Sequence, residues 1–231
     1  MQQINRAIIQ ARMGSSRLRG KSLSPIHGIP LLKRVYQTIA NFEFIDDIVV
    51  ASSNLEEDDP IAAYCENMLS CQCYRGSNED VFDRFLNISK MMNEEDVIMR
   101  ITADNIFYQA DICKALINIH ISNNNDYTGI KGLSHIVGEF LSVRAVRRAG
   151  ENKLSEFEKE HVTPVFINNS NLFRAHFFIP SDFGLISDMD SMLTIDTEED
   201  RDRIENLLID FDQNNIPFEK DNLYSWLTNN K

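Results

Sequence analysis

Residues 7–21, AIIQARMGSSRLRGK, join a short apolar run to a loop rich in glycine, serine and basic side chains. The run from Ala7 to Ile9 is typical of a buried strand, and the loop begins where that strand ends. Ligands of open α/β sheets bind outside the carboxyl ends of the strands. This junction therefore predicts both the start of such a sheet and the place of its ligand.

The chain continues with alternating strand and helix patterns. Apolar runs predict strands at 47–51, 72–74 and 97–102, and helical spacing predicts helices at 30–39, 58–69, 79–92 and 110–121. This order predicts a three-layer α/β/α, Rossmann-like fold, in which helices cover both faces of a mostly parallel central sheet. We expect one domain over residues 1–231.

Beyond residue 125 the pattern is less regular. It predicts strands at 140–143, 173–179 and 192–195, two helical pieces within 146–169, and a final helix that begins after Thr197. Thr197 is a favourable helix cap, and the acidic residues that follow it suit the positive end of the helix dipole.

The charge is distributed unevenly along the chain. Residues 1–42 contain seven basic residues and no acid, whereas the remainder contains 16 basic and 35 acidic residues. The net charge of −12 argues against nucleic acid as a partner. A basic island in an acidic protein instead predicts a local anion site.

The composition, with 43% hydrophobic and 25% charged residues, is typical of a globular protein. No apolar run approaches the roughly 20 residues that span a bilayer, and the apolar stretch near the N-terminus is too short for a signal peptide. We therefore expect a cytoplasmic protein without a membrane partner. Its four cysteines lack the spacing of a zinc site.

The loop at 11–21 has the composition of a phosphate site but not the spacing of a Walker A motif. Five residues separate Gly14 from Gly20, and Pro25 follows. Glycine and serine allow main-chain N–H groups to converge on phosphate oxygens, while arginine and lysine add charged donors. A flexible basic loop without a ligand is the alternative. The position after the first strand favours phosphate.

Two acidic residues stand at predicted strand ends. Asp104 follows the strand at 97–102, and Asp196 follows the strand at 192–195. Mg²⁺ takes one or two carboxylates together with phosphates and water, so this pair predicts a magnesium site. Each acid also has an ordinary interpretation, as a turn aspartate or as an acid that precedes a helix. The neighbouring phosphate loop favours the metal.

These motifs are similar to those of a known family. The segments AIIQARMGSSRLRGKSL, YRGSNEDVFDRF, RITADN, GEFLSVRAV, EHVTP and LTIDTEEDRDRI occur in the order found in cytidylyltransferases. That family includes acylneuraminate cytidylyltransferases, 3-deoxy-manno-octulosonate cytidylyltransferases and the spore coat polysaccharide biosynthesis protein F group, which the chain resembles most. The resemblance implies a GT-A-type nucleotidyltransferase fold.

The resemblance also implies an activity: CMP passes from CTP to a hydroxyl of a sugar acid, of ulosonic or nonulosonic type. Pyrophosphate is released, and the product serves surface polysaccharide or glycan biosynthesis. A homodimer is implied as well, with about residues 125–180 as the acceptor-binding or dimerisation portion.

Individual roles follow from the same resemblance. Catalytic roles are implied for Arg12, Lys21 and Asp104, and Mg²⁺ would bind to Asp104 and Asp196. The implied substrate-binding residues are Ala11, Gly14, Ser15, Arg17, Arg75, Gly76, Ser77, Asp80 and Glu139, of which Glu139 belongs to the acceptor side. His161, within EHVTP, is predicted to be structural.

Three alternatives remain open at this point. A glycosyltransferase of similar fold would use the pair Asp188 and Asp190 as a D-x-D metal motif, although the predicted surface loop at 187–191 disfavours it. A sugar-phosphate nucleotidyltransferase would take a sugar 1-phosphate. A non-catalytic homologue would bind the nucleotide only. The chain also departs from the family pattern at Arg19, where proline is usual, and at Asn105.

Overall fold

A computed structural model describes residues 3–15, 17–132 and 135–230. Its main feature is a seven-stranded sheet with the order β5-β4-β1-β6-β8-β7-β9. The strands are β1 (Asn5–Gln10), β4 (Asp47–Ser53), β5 (Gln72–Gly76), β6 (Val97–Thr102), β7 (Tyr127–Ile130), β8 (Glu139–Ser142) and β9 (Ala175–Phe178), and a short hairpin is formed by β2 (Pro25–Ile26) and β3 (Ile29–Pro30).

The sheet is parallel in its first half and mixed in its second. Strand β1 pairs in parallel with β4 and β6, and β4 pairs in parallel with β5. Strand β8 runs antiparallel to both β6 and β7, and β9 is parallel to β7. Ile8 and Ile9 of β1 are both fully buried, as expected for a central strand covered on two faces.

Ten helices in the described residues flank the sheet. They are α1 (Leu31–Ala40), α2 (Asp59–Tyr64), α3 (Val81–Ser89), α4 (Ala110–Ser122), α5 (Val143–Gly150), α6 (Glu156–His161), α7 (Pro164–Asn168), α8 (Ser187–Ser191), α9 (Glu198–Asn214) and α10 (Lys220–Asn229). Helix α2 continues into a π-helical turn at Cys65–Leu69. None of the helices described is long and apolar enough to cross a membrane.

Alternate side chains of the strands build two separate cores. Ile9 packs in one core with residues of α1, α4 and α9, whereas Ile8 packs in the other with residues of α3, α5 and α7. The predicted α/β fold, a mostly parallel sheet between two helical layers, is therefore confirmed.

Two predictions for the C-terminal third were wrong. Residues 192–195 are not a strand: Met192 follows α8, and the main-chain N–H of Ile195 bonds to the carbonyl of Asp104. The segment at 187–191 is the helix α8 rather than a loop, and Asp190 within it is fully buried. The sequence prediction also missed strand β7 and helix α10, and it divided 146–169 into two helical pieces where the structure has three.

Candidate functional site

The basic loop and the two aspartates meet in one cavity of about 360 Å³. The cavity lies beyond the carboxyl ends of β1 and β6, the adjacent parallel strands at the centre of the sheet. Seven of the predicted site residues line it: Ala11, Arg12, Ser15, Arg17, Lys21, Asp104 and Asp196.

The loop at 11–21 is held in place by the protein itself. The main-chain N–H of Met13 donates to Asp58 Oδ1 at 2.6 Å, and the carbonyl of Met13 accepts from Gly20 N at 2.9 Å. Leu18 is buried in the core below. Gly20 has a φ of 74°, a left-handed conformation that glycine adopts without strain. The loop is thus an anchored structure, although Ser16 lies outside the described residues.

Asp104 is oriented by its neighbours. The hydroxyl of Thr102 donates to Asp104 Oδ1 at 2.7 Å. Thr102 is fixed in turn by the buried Tyr108, whose hydroxyl donates to the Thr102 carbonyl at 3.0 Å. Burial raises the pKa of Tyr108, which keeps that hydroxyl protonated as a donor.

Asp196 is positioned by the start of α9. Asp200 accepts from the main-chain N–H groups of Asp196 at 3.1 Å and of Thr197 at 2.9 Å, within a capping box. The main-chain bond between Ile195 N and Asp104 O, 2.8 Å long, ties this turn to the segment after β6. Two acids that are far apart in the sequence therefore face one space.

A cation of the protein lies between the two carboxylates. Lys21 Nζ is 2.9 Å from Asp196 Oδ1, 3.9 Å from Asp104 Oδ2, and donates to the carbonyl of Ile195 at 3.0 Å. Arg17 Nη2 lies 2.8 Å from Asp196 Oδ2.

The donor set fits Mg²⁺. Hard carboxylate oxygens converge on a point that already holds a positive charge, and substrate phosphates and water would supply the other ligands. No cluster of three or more potential metal ligands occurs in the parts of the chain that the structure describes.

Four residues predicted to contact the nucleotide do not line the cavity. Arg75 bonds to the carbonyls of Ser53 and Leu55 and pairs with Asp59. Gly76 ends strand β5. Ser77 and Asp80 shape the turn before α3: Asp80 caps the helix through Asp83 N, and Ser77 Oγ accepts from Asp80 N.

That turn instead positions Arg84, which sequence reasoning did not identify. Arg84 is 2% exposed, donates to the carbonyls of Ser77 and Asn78 at 2.7 and 3.1 Å, and lines the cavity. Burial lowers the pKa of its guanidinium, which stays charged. In the sequence VFDRFLNIS, Arg84 occupies a position that looks polar and exposed. No sequence pattern therefore indicates that this arginine is buried.

Two further predicted residues lie outside the lining of the first cavity. Gly14 lies beside Glu57 and is not part of the cavity wall. Glu139 is buried, with one carboxylate oxygen paired to Arg100 and the other accepting from the Tyr127 hydroxyl at 2.7 Å. It lines a second, more apolar cavity of about 530 Å³. Of this ion pair, Arg100 is the member that reaches the first cavity.

The remaining wall of the first cavity comes from α6. Glu160 and His161 line it, so His161 faces the site rather than the core. The motif EHVTP marked this segment, although its histidine was predicted to be structural.

A model of the cytidylyltransferase family matches residues 6–224 of the chain. The chain belongs to the cytidylyltransferase family. Its enzyme class is accordingly that of the nucleotidyltransferases, as the sequence motifs predict.

Individual relatives agree with this family. The chain is 35% identical to an uncharacterized protein of Methanocaldococcus jannaschii, over 84% of this chain and 78% of that protein. It is 34% identical to the spore coat polysaccharide biosynthesis protein SpsF of Bacillus subtilis, over 87% and 84% of the two chains. A 3-deoxy-manno-octulosonate cytidylyltransferase of Desulfosudis oleivorans is 34% identical, over 42% of this chain and 39% of its own.

The fold agrees as well. A cytidylyltransferase from Leptospira borgpetersenii superimposes with a TM-score of 0.75 over 88% of this chain and 86% of its own, at 21% identity. At this level of identity the likeness concerns the fold alone.

Proposed function

We propose that the protein transfers CMP from CTP to a hydroxyl group of a sugar acid, with release of pyrophosphate, in the synthesis of a surface polysaccharide or glycan. The observation that carries this proposal is the cavity in which Arg12, Arg17 and Lys21 face Asp104 and Asp196. The names of two relatives, a spore coat polysaccharide protein and an octulosonate cytidylyltransferase, support the acceptor class.

The basic side chains would bind the triphosphate. Arg12 and Arg17 are exposed at the cavity and can reach phosphate oxygens, and Ser15 adds a hydroxyl. These charges would stabilise the negative charge that builds up on pyrophosphate as it leaves. Ala11, which is buried at the end of β1, would approach the base only through its main chain.

In the reaction, the acceptor oxygen forms a bond to the α-phosphorus while the bond from that phosphorus to the oxygen bridging to the β-phosphate breaks. Asp104 and Asp196 would hold Mg²⁺, which would neutralise charge on the triphosphate and lower the pKa of the acceptor hydroxyl. His161 and Glu160 line the remaining wall, and either side chain would be able to take the hydroxyl proton.

The decisive assay is pyrophosphate release with CTP, Mg²⁺ and a panel of acceptors. The panel includes 3-deoxy-manno-octulosonate, its 8-amino-3,8-dideoxy analogue, N-acetylneuraminate and several sugar 1-phosphates. We expect release with CTP and a sugar acid, and much less with UTP, ATP or GTP. Release with sugar 1-phosphates alone would favour a sugar-phosphate nucleotidyltransferase, and CTP binding without release in the whole panel would favour the non-catalytic alternative.

The glycosyltransferase alternative loses its structural support. Asp190 is fully buried inside the protein, and Asp188 and Asp190 do not line the cavity. We therefore expect no hydrolysis of nucleotide-sugars, and an Asp188→Asn variant should retain full pyrophosphate release.

We also propose a homodimer formed through the face around β9. Strand β9 is at the edge of the sheet, and Phe177 and Ile179 at that edge are 37% and 54% exposed. Phe177 contacts Tyr127 at 5.2 Å between ring centroids, beside the second cavity. Two copies would bury these apolar edges against each other. Light scattering should give twice the mass of one chain, and a Phe177→Ser/Ile179→Ser double variant should give the mass of one chain.

A further inference from the structure

We propose that Lys21 is an internal counter-ion, which competes with the divalent metal for Asp104 and Asp196 until the triphosphate of CTP draws it away. This inference rests on the proposed function, because it takes CTP and a metal as ligands of the first cavity. Beyond that function, it gives Lys21 a role before CTP binds and makes the affinities for CTP and for the metal depend on each other.

The position of the ammonium carries the inference. Lys21 Nζ donates to Asp196 Oδ1 at 2.9 Å and to the Ile195 carbonyl at 3.0 Å, and it forms a longer ion pair with Asp104 Oδ2 at 3.9 Å. Its side chain is only 15% exposed, less than those of Asp104 at 24% and Asp196 at 26%. An ammonium held in this way occupies the point at which a hard cation would be coordinated.

The charges explain why the two cations exclude each other. Lys21 and Arg17 together match the two negative charges of Asp104 and Asp196, so the cluster is neutral as it stands. A divalent ion added to it would bring two uncompensated positive charges to a partly buried site within a few ångströms of Lys21, and such repulsion is strong where water is limited.

A triphosphate reverses this balance. Its oxygens offer Lys21 and Arg17 an alternative partner that carries several negative charges, and the two carboxylates are then left for the metal. Arg17 is 64% exposed and can turn without disturbing the core. Lys21 begins the short helical turn Lys21–Leu23, so its backbone stays fixed while its long side chain swings. Lys21 is therefore the principal competitor and Arg17 the weaker one.

The expected consequence is cooperative binding of CTP and metal. The metal alone binds weakly, CTP tightens it, and by thermodynamic linkage the metal tightens CTP by the same factor. Removal of the lysine charge should therefore strengthen metal binding in the absence of CTP, even though it weakens binding of the triphosphate.

The test measures Mn²⁺ binding by electron paramagnetic resonance of the free ion, first with Mn²⁺ alone and then with CTP, after subtraction of the Mn²⁺ that CTP chelates in the absence of protein. We expect Lys21→Met and Lys21→Gln to bind Mn²⁺ alone at least about tenfold more tightly than the wild type, a typical size for coupling between sites. Lys21→Arg, which keeps the charge, should not bind more tightly. CTP should enhance Mn²⁺ binding less in Lys21→Met than in the wild type.

Lys114→Met is the matched control, because it removes the same charge from an exposed position on α4. If Lys21→Met and Lys21→Gln bind Mn²⁺ no more tightly than this control, the counter-ion proposal is overturned, while CTP-dependent Mn²⁺ binding by the wild type would still support the proposed function. If the wild type binds no Mn²⁺ even with CTP, the metal assignment and the counter-ion proposal both fall. Circular dichroism checks that each variant is folded.

Discussion

Two charged clusters lie near strand β6. They differ in the exposure of their carboxylates and in whether every carboxylate oxygen is held by a fixed partner. In the open cluster, Asp104 and Asp196 are about one quarter exposed and share Lys21 and Arg17. In the closed cluster, the Glu139 side chain is only 9% exposed, and Arg100 and Tyr127 take both of its carboxylate oxygens. The open cluster can exchange its partners for ligands. In the closed one, both carboxylate oxygens of Glu139 already have partners.

Residues that lie close together in one motif therefore belong to different clusters and have different expected roles. Arg100 and Asp104 stand four positions apart in RITADN and both line the first cavity, yet Arg100 is paired with Glu139 while Asp104 is paired with Lys21. Substitutions in the open cluster should therefore change activity more than stability, and substitutions in the closed cluster should do the reverse. Three predictions test this difference, and a fourth concerns a buried acid outside both clusters.

The largest effect is expected for Asp104→Asn. The amide keeps the oxygen that accepts from Thr102, so folding should be preserved, but it removes one of the two charges available to a metal. We expect kcat/KM for pyrophosphate release to fall by about a thousandfold, as for other losses of a preorganised charge. Asp188→Asn, a remote exposed position, is the control. Normal activity of Asp104→Asn would show that the open cluster is not catalytic.

Glu139→Ala tests the closed cluster. The variant leaves Arg100 buried without its partner, and loss of one member of a buried pair costs about 3 kcal/mol in the free energy of unfolding. Urea denaturation measures this loss. Glu156→Ala, which breaks an exposed pair with Lys159, should change stability little. Equal stability of the two variants would mean that the closed cluster contributes nothing to the fold.

Asp190 is a buried acid that belongs to neither cluster, and its contribution to stability is expected to depend on pH. Burial raises the pKa of Asp190 to about 7, although the amides of Ile136 and His135 oppose the shift. The Tyr224 hydroxyl lies nearby and its own pKa is also raised, chiefly by burial. The folded state thus binds a proton more tightly than the unfolded chain, whose aspartate titrates near about 4.

Because the folded state binds this proton more tightly, the free energy of unfolding falls as the pH rises between about 4 and about 7. The contribution of Asp190 is lost completely above its pKa in the folded state. Asp190→Asn should therefore gain stability relative to the wild type when urea denaturation is repeated at pH 8 instead of pH 5. Asp188→Asn should show no such gain. A constant difference between Asp190→Asn and the wild type at both pH values would contradict the raised pKa.

The smallest effect is expected in the loop of the open cluster. Gly20 and Gly28 have φ angles of 74° and 75°, so alanine at either position should cost about 1 kcal/mol of stability. Only Gly20 precedes Lys21, and only Gly20→Ala should also weaken CTP binding, by a few-fold. Calorimetric titration of both variants with CTP makes the comparison. Equal affinities would mean that the turn at Gly20 does not set the position of Lys21.

The sequence predicted the parallel half of the sheet well, because β1, β4 and β6 are apolar runs bounded by turns. The prediction of strands failed where tertiary contacts, rather than the local sequence pattern, determine the structure. Strand β7, with the sequence YTGI, is too short and polar to stand out, yet it is fully buried between β8 and β9. The apolar residues at 192–195 suggested a strand, but they form a turn fixed by the bond from Ile195 to Asp104.

The candidate site likewise contains residues that a local sequence pattern predicts and residues that only the fold brings to the cavity. The loop and the two aspartates were predicted because glycine, basic residues and strand-end acids leave a local pattern. Arg84 and Arg100 reach the cavity from positions that look like an ordinary helix surface and an ordinary strand, and only the fold brings them there. Glu139 was assigned to the acceptor side from its motif, whereas its pairing with Arg100 and Tyr127 could not be predicted from the sequence.

The bond from Ile195 N to Asp104 O has a consequence for synthesis of the protein on the ribosome. The basic loop emerges first, Asp104 follows, and Asp196 emerges only after most of the chain has been made. Until this last turn has formed, the cavity lacks the carboxylate that pairs with Lys21 and Arg17. The charge balance of the cavity is therefore completed only after residue 196 has been made and has folded against Asp104.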